Sequence, residues 1–319
     1  MNRILGYLGV AFGIWLVSMT ATLGQQQYQY TQYMLNNQLV NPAAVGVSDN
    51  QEIRLGGRYQ NIGFPGAPGN IFANYNTAIM KREQEYSDVK QLPYFGAGGS
   101  IQYETTSPIN KLSFYGNFAV HLPLSVKYTL SAGMSVGMQN QATSLSQSDG
   151  YSGTNGGSSD AALNNKSTYL PDGSVGLWLH SKELYAGISS QQLFNNKSAL
   201  TNVELVRDYL FTAGYKIKVN ADWDIIPTTL IKFIPLLPAA VEVSTRAVYK
   251  DFFWFGASYR YQDAIPIMFG LKLKEGYLIG LSYDFTTSLL NKYSYGTAEL
   301  LVGYNLPGHK IAKAPAQFY

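Results

Sequence analysis

Arg54, Arg58, Lys232, Arg246, Arg260 and Lys272 recur at alternate positions and share one face of their stretches with Glu104, Glu242, Asp284 and Glu299. Charges gathered on a common interior face can do one of two things. They can line a wet bore and select ions. They can also pair across a filled interior, where a buried charge needs a partner and hydrogen bonds. The polar stretch Gln25–Asn50 is available to occlude such an interior, which favours structural pairing over selective conduction.

Nucleophilic and metal chemistry find little footing. The chain has no cysteine, which excludes thiol catalysis, thiolate metal sites and disulfides. Its three histidines, His121, His180 and His309, are scattered. A Ser–His pair needs mutual hydrogen-bond reach and an orienting third group. Ser181 adjoins His180, but neighbours on a strand face opposite ways. Gly96–Ser100 lacks the lysine and following helix of a phosphate loop, so its glycines read as small inward strand residues facing bulky ones. No catalytic residue, metal site or cofactor is expected.

The elements that carry these residues follow from a period of two. In Tyr277–Phe285, Tyr277, Ile279, Leu281, Tyr283 and Phe285 face one way and Gly280, Ser282 and Asp284 the other. Tyr128, Leu130, Ala132, Met134, Val136 and Met138 form a similar row, as do Phe253, Phe255, Ala257, Tyr259 and Tyr261. Strands are predicted at 52–60, 70–80, 94–104, 111–121, 127–140, 170–180, 183–193, 207–219, 222–234, 239–250, 252–262, 265–275, 276–287 and 297–305. Charge is sparse at 13%, and the 25 tyrosines and 31 glycines suit aromatic girdles and a lumen of small side chains. The predicted fold is an all-β transmembrane antiparallel up-and-down barrel of about 14 strands. Pro227 lacks a ladder donor and predicts a bulge or strand end.

Domain organisation follows. Arg3, the apolar run Ile4–Val17 and Thr22-Leu23-Gly24 predict a cleaved signal peptide over 1–24. Residues 25–51 are expected as a periplasmic N-terminal segment, 52–306 as an outer-membrane barrel and 307–319 as a periplasmic tail. Short connections at Ser181-Lys182, Asn220-Ala221, Lys250-Asp251 and Glu275-Gly276 fall on the side predicted to be periplasmic. Long ones at Gln141–Tyr169, Phe194–Val206 and Ser288–Gly296 fall outside, and Lys81–Pro93 is the exception. With 23 basic and 20 acidic residues, the charge balance predicts no nucleic-acid partner.

Gln29–Gln60 resembles the opening of the PorP/SprF family of the Bacteroidetes type IX secretion system. The resemblance rests on Gln32-Tyr33-Met34, Asn36, Asn41-Pro42-Ala43, Gly46 and Arg58-Tyr59, with Gly66-Ala67-Pro68 just beyond. Leu184–Phe194, Asp208–Ile217, Ile225–Phe233 and Phe269–Leu306 fit the same pattern in order, with Asn-Pro-Ala as its most specific part. A tryptophan common in the family after Arg-Tyr is replaced here by Ile62 and Phe64. The resemblance implies a non-enzymatic outer-membrane component that supports export or surface attachment of cargo such as adhesins, including those of gliding motility. It also implies partners: outer-membrane lipid, the periplasmic ring and its associated lipoproteins, and the secreted cargo. The alternative reading from the residues is a porin-like channel for small solutes.

Overall fold

The computed structural model describes residues 29–81, 92–107, 109–143, 167–196, 206–235 and 237–306. The predicted signal peptide (1–24), the tail 307–319, most of Lys81–Pro93 and the middles of Gln141–Tyr169 and Phe194–Val206 lie outside the described residues.

The strands are β1 (Gln51–Tyr59), β2 (Gly69–Ile79), β3 (Tyr94–Thr106), β4 (Ile109–Pro123), β5 (Thr129–Thr143), β6 (Ser167–His180), β7 (Leu184–Gln191) and β8 (Asp208–Tyr215). They continue as β9 (Ile217–Lys218), β10 (Trp223–Phe233), β11 (Ala240–Tyr249), β12 (Phe253–Arg260), β13 (Ala264–Lys272), β14 (Tyr277–Thr286) and β15 (Thr297–Leu306). Consecutive strands pair antiparallel, except that β8 and β9 both pair with β10. The β1–β15 ladder, from Gln51 opposite Leu306 to Tyr59 opposite Ala298, closes the barrel. Closure leaves no unpaired edge to be satisfied in lipid.

β8 and β9 are one strand. Gly214 pairs with Thr228 and Ile217 with Ile225, so the register is unbroken and only Tyr215 and Lys216 drop out of the ladder. They lie opposite Ile226 and Pro227, where the proline has no N–H to give. The sequence predicted a bulge or strand end at Pro227 itself. Pro227 instead stays inside β10, paired with Thr245, and the gap appears on the neighbouring strand. Fourteen strands therefore cross the wall.

The outer face carries the predicted apolar rows. Met134, Val136 and Met138 are 49%, 55% and 49% exposed, while Ser131, Ser135 and Gln139 between them are buried. Short turns gather at one end of the barrel, among them 181–183, 219–222 and 250–252. Lys250 and Asp251 both take positive φ (51° and 52°), the geometry of a tight hairpin whose twist matches its strands. The long connections gather at the other end, although 107–108 and 261–263 there are equally tight. By the rule that periplasmic turns are short, the first is the inner, turn end and the second the outer, loop end.

Candidate functional site

Of the two placements open to 25–51, a periplasmic segment beyond the barrel end or an occluder of the interior, the described residues take the second. They fill the lumen. Three single-turn 3-10 helices, Tyr33–Leu35, Asn37–Leu39 and Pro42–Ala44, run from the loop end to the turn end, where Asn50 leads into β1. A segment this polar could not leave its backbone groups unpaired in a closed space. The inner wall supplies the partners and a matching apolar patch.

At the loop end, Thr31 sits among five buried charges. Its hydroxyl donates to the Asp284 carboxylate at 2.8–2.9 Å and accepts from Arg58 Nη1 (2.9 Å) and Arg260 Nη2 (3.2 Å). That uses the whole capacity of a hydroxyl. Arg58 also meets Asp284 at 2.8 Å and Glu299 at 3.1 Å, and Arg260 meets Glu242 at 2.9 Å and Asp284 at 3.2 Å. Two arginines here face three carboxylates. The backbone N–H groups of Thr31 and Gln32 make up the deficit by each donating to Glu299 at 2.9 Å. The side-chain amide of Gln29 donates to Glu242 at 2.7 Å. The segment thus completes a charge network that the wall leaves short of donors.

Midway along, Tyr33, Met34 and Val40 pack with inward-facing Leu210, Leu230, Trp254 and Met268. Tyr30, Leu35 and Leu39 pack on Phe72, Leu278 and Leu301. The Tyr33 hydroxyl faces the Thr228 hydroxyl at 3.3 Å.

Asn41 holds the Asn-Pro-Ala turn. Its Oδ1 accepts the Ala43 N–H at 2.9 Å and so caps the third helix, while Nδ2 donates to the carbonyls of Leu177 (2.9 Å) and Ile188 (3.1 Å). Gly176 makes this approach feasible, since a Cβ there would fall 2.1 Å from Asn41 Oδ1. At the turn end, a Cβ on Gly96 would fall 2.0 Å from the Val45 carbonyl oxygen. The glycines of Gly96–Ser100 make room for more than wall side chains: at Gly96 they admit backbone.

His121 and His180, both near turn-end strand termini, come together with ring centroids 6.2 Å apart. His121 also meets Ser131 Oγ at 2.6 Å, so a Ser–His pair does form, but with a different serine from the Ser181 considered in sequence. Nε2 faces the Val45 carbonyl at 2.9 Å and must donate to it, leaving Nδ1 to accept from Ser131. Both His121 and Ser131 are fully buried under the lumen segment. The pair anchors backbone and is sealed from any substrate. Among the described residues, no three potential metal ligands cluster.

The remaining charges divide. Lys232 pairs with Asp208 at 3.4 Å, and Glu104 pairs with Lys111 at 2.6 Å. Arg54 meets Glu52 at 3.2 Å and the Leu35 carbonyl at 3.3 Å. Lys272 belongs to the rim instead, with its side chain 43% exposed and paired with Asp251. Arg246 has no carboxylate among the described residues and lies over the Trp254 ring, 5.5 Å from its centroid. Sequence reasoning missed Thr31, Asn41 and the inward apolar set. A signal was present, because Leu210, Leu230, Trp254 and Met268 put apolar side chains on a face that a wet lumen would keep polar.

Below the lumen segment, a cavity of about 360 Å³ opens toward the turn end, between Met34–Gln38 and the rim at Asp251 and Lys272.

Among solved structures, the chain is similar to the toluene transporter TbuX of Ralstonia pickettii. The two share 10% identity and a TM-score of 0.49, over 88% of this chain and 94% of that one. It is also similar to the outer-membrane protein Omp33 of Acinetobacter baumannii, with 8% identity and a TM-score of 0.47 over 81% and 98%. No curated protein matches the sequence. Residues 22–304, nearly the whole barrel and its lumen segment, match the family model of the type IX secretion system membrane protein PorP/SprF, and the chain belongs to that outer-membrane family.

Proposed function

We propose that this protein is a plugged, non-conducting barrel that serves type IX secretion through its exposed ends, as a non-enzymatic adaptor. The observation that carries the reading is the lumen segment, whose wall partners include Arg58 on β1, Ser189 on β7, Glu242 on β11 and Glu299 on β15. An interior committed to holding its own chain is not free to pass solute. The adaptor supports export or surface attachment of cargo such as adhesins, including those used in gliding. It contacts the periplasmic ring and associated lipoproteins through its turn end and is held laterally by outer-membrane lipid. Cargo meets the loop end. Six of the ten lumen charges, Arg54, Arg58, Glu242, Arg260, Asp284 and Glu299, act structurally in this reading by holding the plug.

Quantitative proteomics of secreted and cell-retained fractions from a clean deletion strain tests the role. Loss of one large surface protein marks a dedicated adaptor, and loss of many marks a core component. An unchanged secretome, together with steady ion-selective current from the purified barrel, would return the weight to a porin-like channel.

A further inference from the structure

The turn-end cavity has a defined chemistry. Around its rim, Lys216 pairs with Asp224 at 2.8 Å, Lys272 pairs with Asp251, and Arg54 pairs with Glu52. Those charges cancel in situ. On the same lining, Arg246 makes no hydrogen bond or ion pair within the described structure, and its Nε is buried without a partner. The residue is part-exposed and only Nε is sealed, so the rest of its unpaired charge is open to an arriving anion. The planar fork of arginine over an aromatic ring suits a carboxylate.

We infer that this cavity is a receptor for a carboxylate carried by an acidic peptide segment of a periplasmic partner, with Arg246 as its anchor. The cavity is small for a ligand pocket, near the lower end of the usual range of about 300–1,000 Å³. It is also blind, because Met34–Gln38 of the plug form its inner wall. A blind pocket holds a side chain and leads nowhere, which favours a docked peptide over a solute in transit. The adaptor reading supplies only the side from which the ligand comes. Binding by the purified protein holds or fails whatever the secretome shows.

The test uses the full-length protein in detergent micelles, with tryptophan emission as the readout, since Trp254 lies under Arg246. Acetyl-Gly-Glu-Gly-amide should give a saturable change. Its Gln counterpart should bind about tenfold more weakly or worse, and Arg246→Gln should lose the preference while Arg246→Lys retains part of it. Equal binding of the Glu and Gln peptides, or no saturation with either, overturns the receptor. That comparison needs no variant, so it decides the matter even if Arg246→Gln does not fold. Free glutarate binding as tightly as the Glu peptide would overturn the peptide assignment and make the site one for small dicarboxylates.

Discussion

Arg58 and Glu299 stand directly opposite one another across the β1–β15 seam, and their side chains meet inside the barrel at 3.1 Å. Removing one member of a buried pair leaves the other uncompensated, at a cost of about 3–5 kcal/mol. Arg58→Gln and Glu299→Gln should each lower the temperature at which the folded barrel loses its compact gel mobility. The double variant should cost less than the sum, because the two share one network. Strict additivity would show that the pair is not coupled.

Asn41 gives two N–H donors to wall carbonyls and one acceptor to its own helix. Asn41→Asp puts a second oxygen against the Leu177 and Ile188 carbonyls, trading attraction for repulsion and costing about 1–3 kcal/mol or more. The expected outcome in planar bilayers is intermittent current, against silence for the native protein. A variant as silent as the native protein would remove Asn41 from the holding of the plug.

Gly96 and Gly99 lie on one strand with different surroundings. A Cβ at Gly96 would strike Val45 backbone, whereas at Gly99 its nearest neighbour lies 3.4 Å away, in ordinary contact. Gly96→Val should make the 29–50 segment sensitive to protease in the purified barrel, and Gly99→Ala should not. Equal resistance of the two variants would contradict the close packing described.

Val136 lies midway along β5 on the lipid face, 55% exposed. Arginine there should cost about 2–4 kcal/mol of barrel stability in a denaturant titration within lipid vesicles. Ser125→Arg, in an exposed turn, should cost almost nothing.

The absence of native cysteine makes single reporters clean. Phe64→Cys, in the loop-end connection, should react with an impermeant maleimide in intact cells. Ser125→Cys, in a turn-end connection, should react only after the outer membrane is opened. The reverse pattern would invert the barrel.

Most of the wall was legible because a strand's period of two records which side faces lipid. Thirteen of the strands follow from that pattern with small shifts at their ends, and the β8–β9 pair was already predicted as one strand over 207–219. Occlusion by 25–51 was one of the readings the sequence allowed, but which of them holds was not legible. Three 3-10 turns have no long period to read, and a polar segment looks the same in water as among polar wall groups. What the sequence did hold was the composition of the receiving face. Trp254 between Phe253 and Phe255 makes β12 apolar on both sides, and Leu230 does the same for β10. Asp208 and Lys111, the partners of Lys232 and Glu104, were missed because cross-strand register cannot be read from spacing along one chain.

The segment that occupies the lumen immediately precedes the first strand, yet its Thr31 and Gln32 amides bind Glu299 on the last. A barrel closed without the segment would keep the Arg58–Glu299 pair across its seam but lack the two amides that complete that carboxylate, so the plug and the closing ladder steady one another through a single side chain.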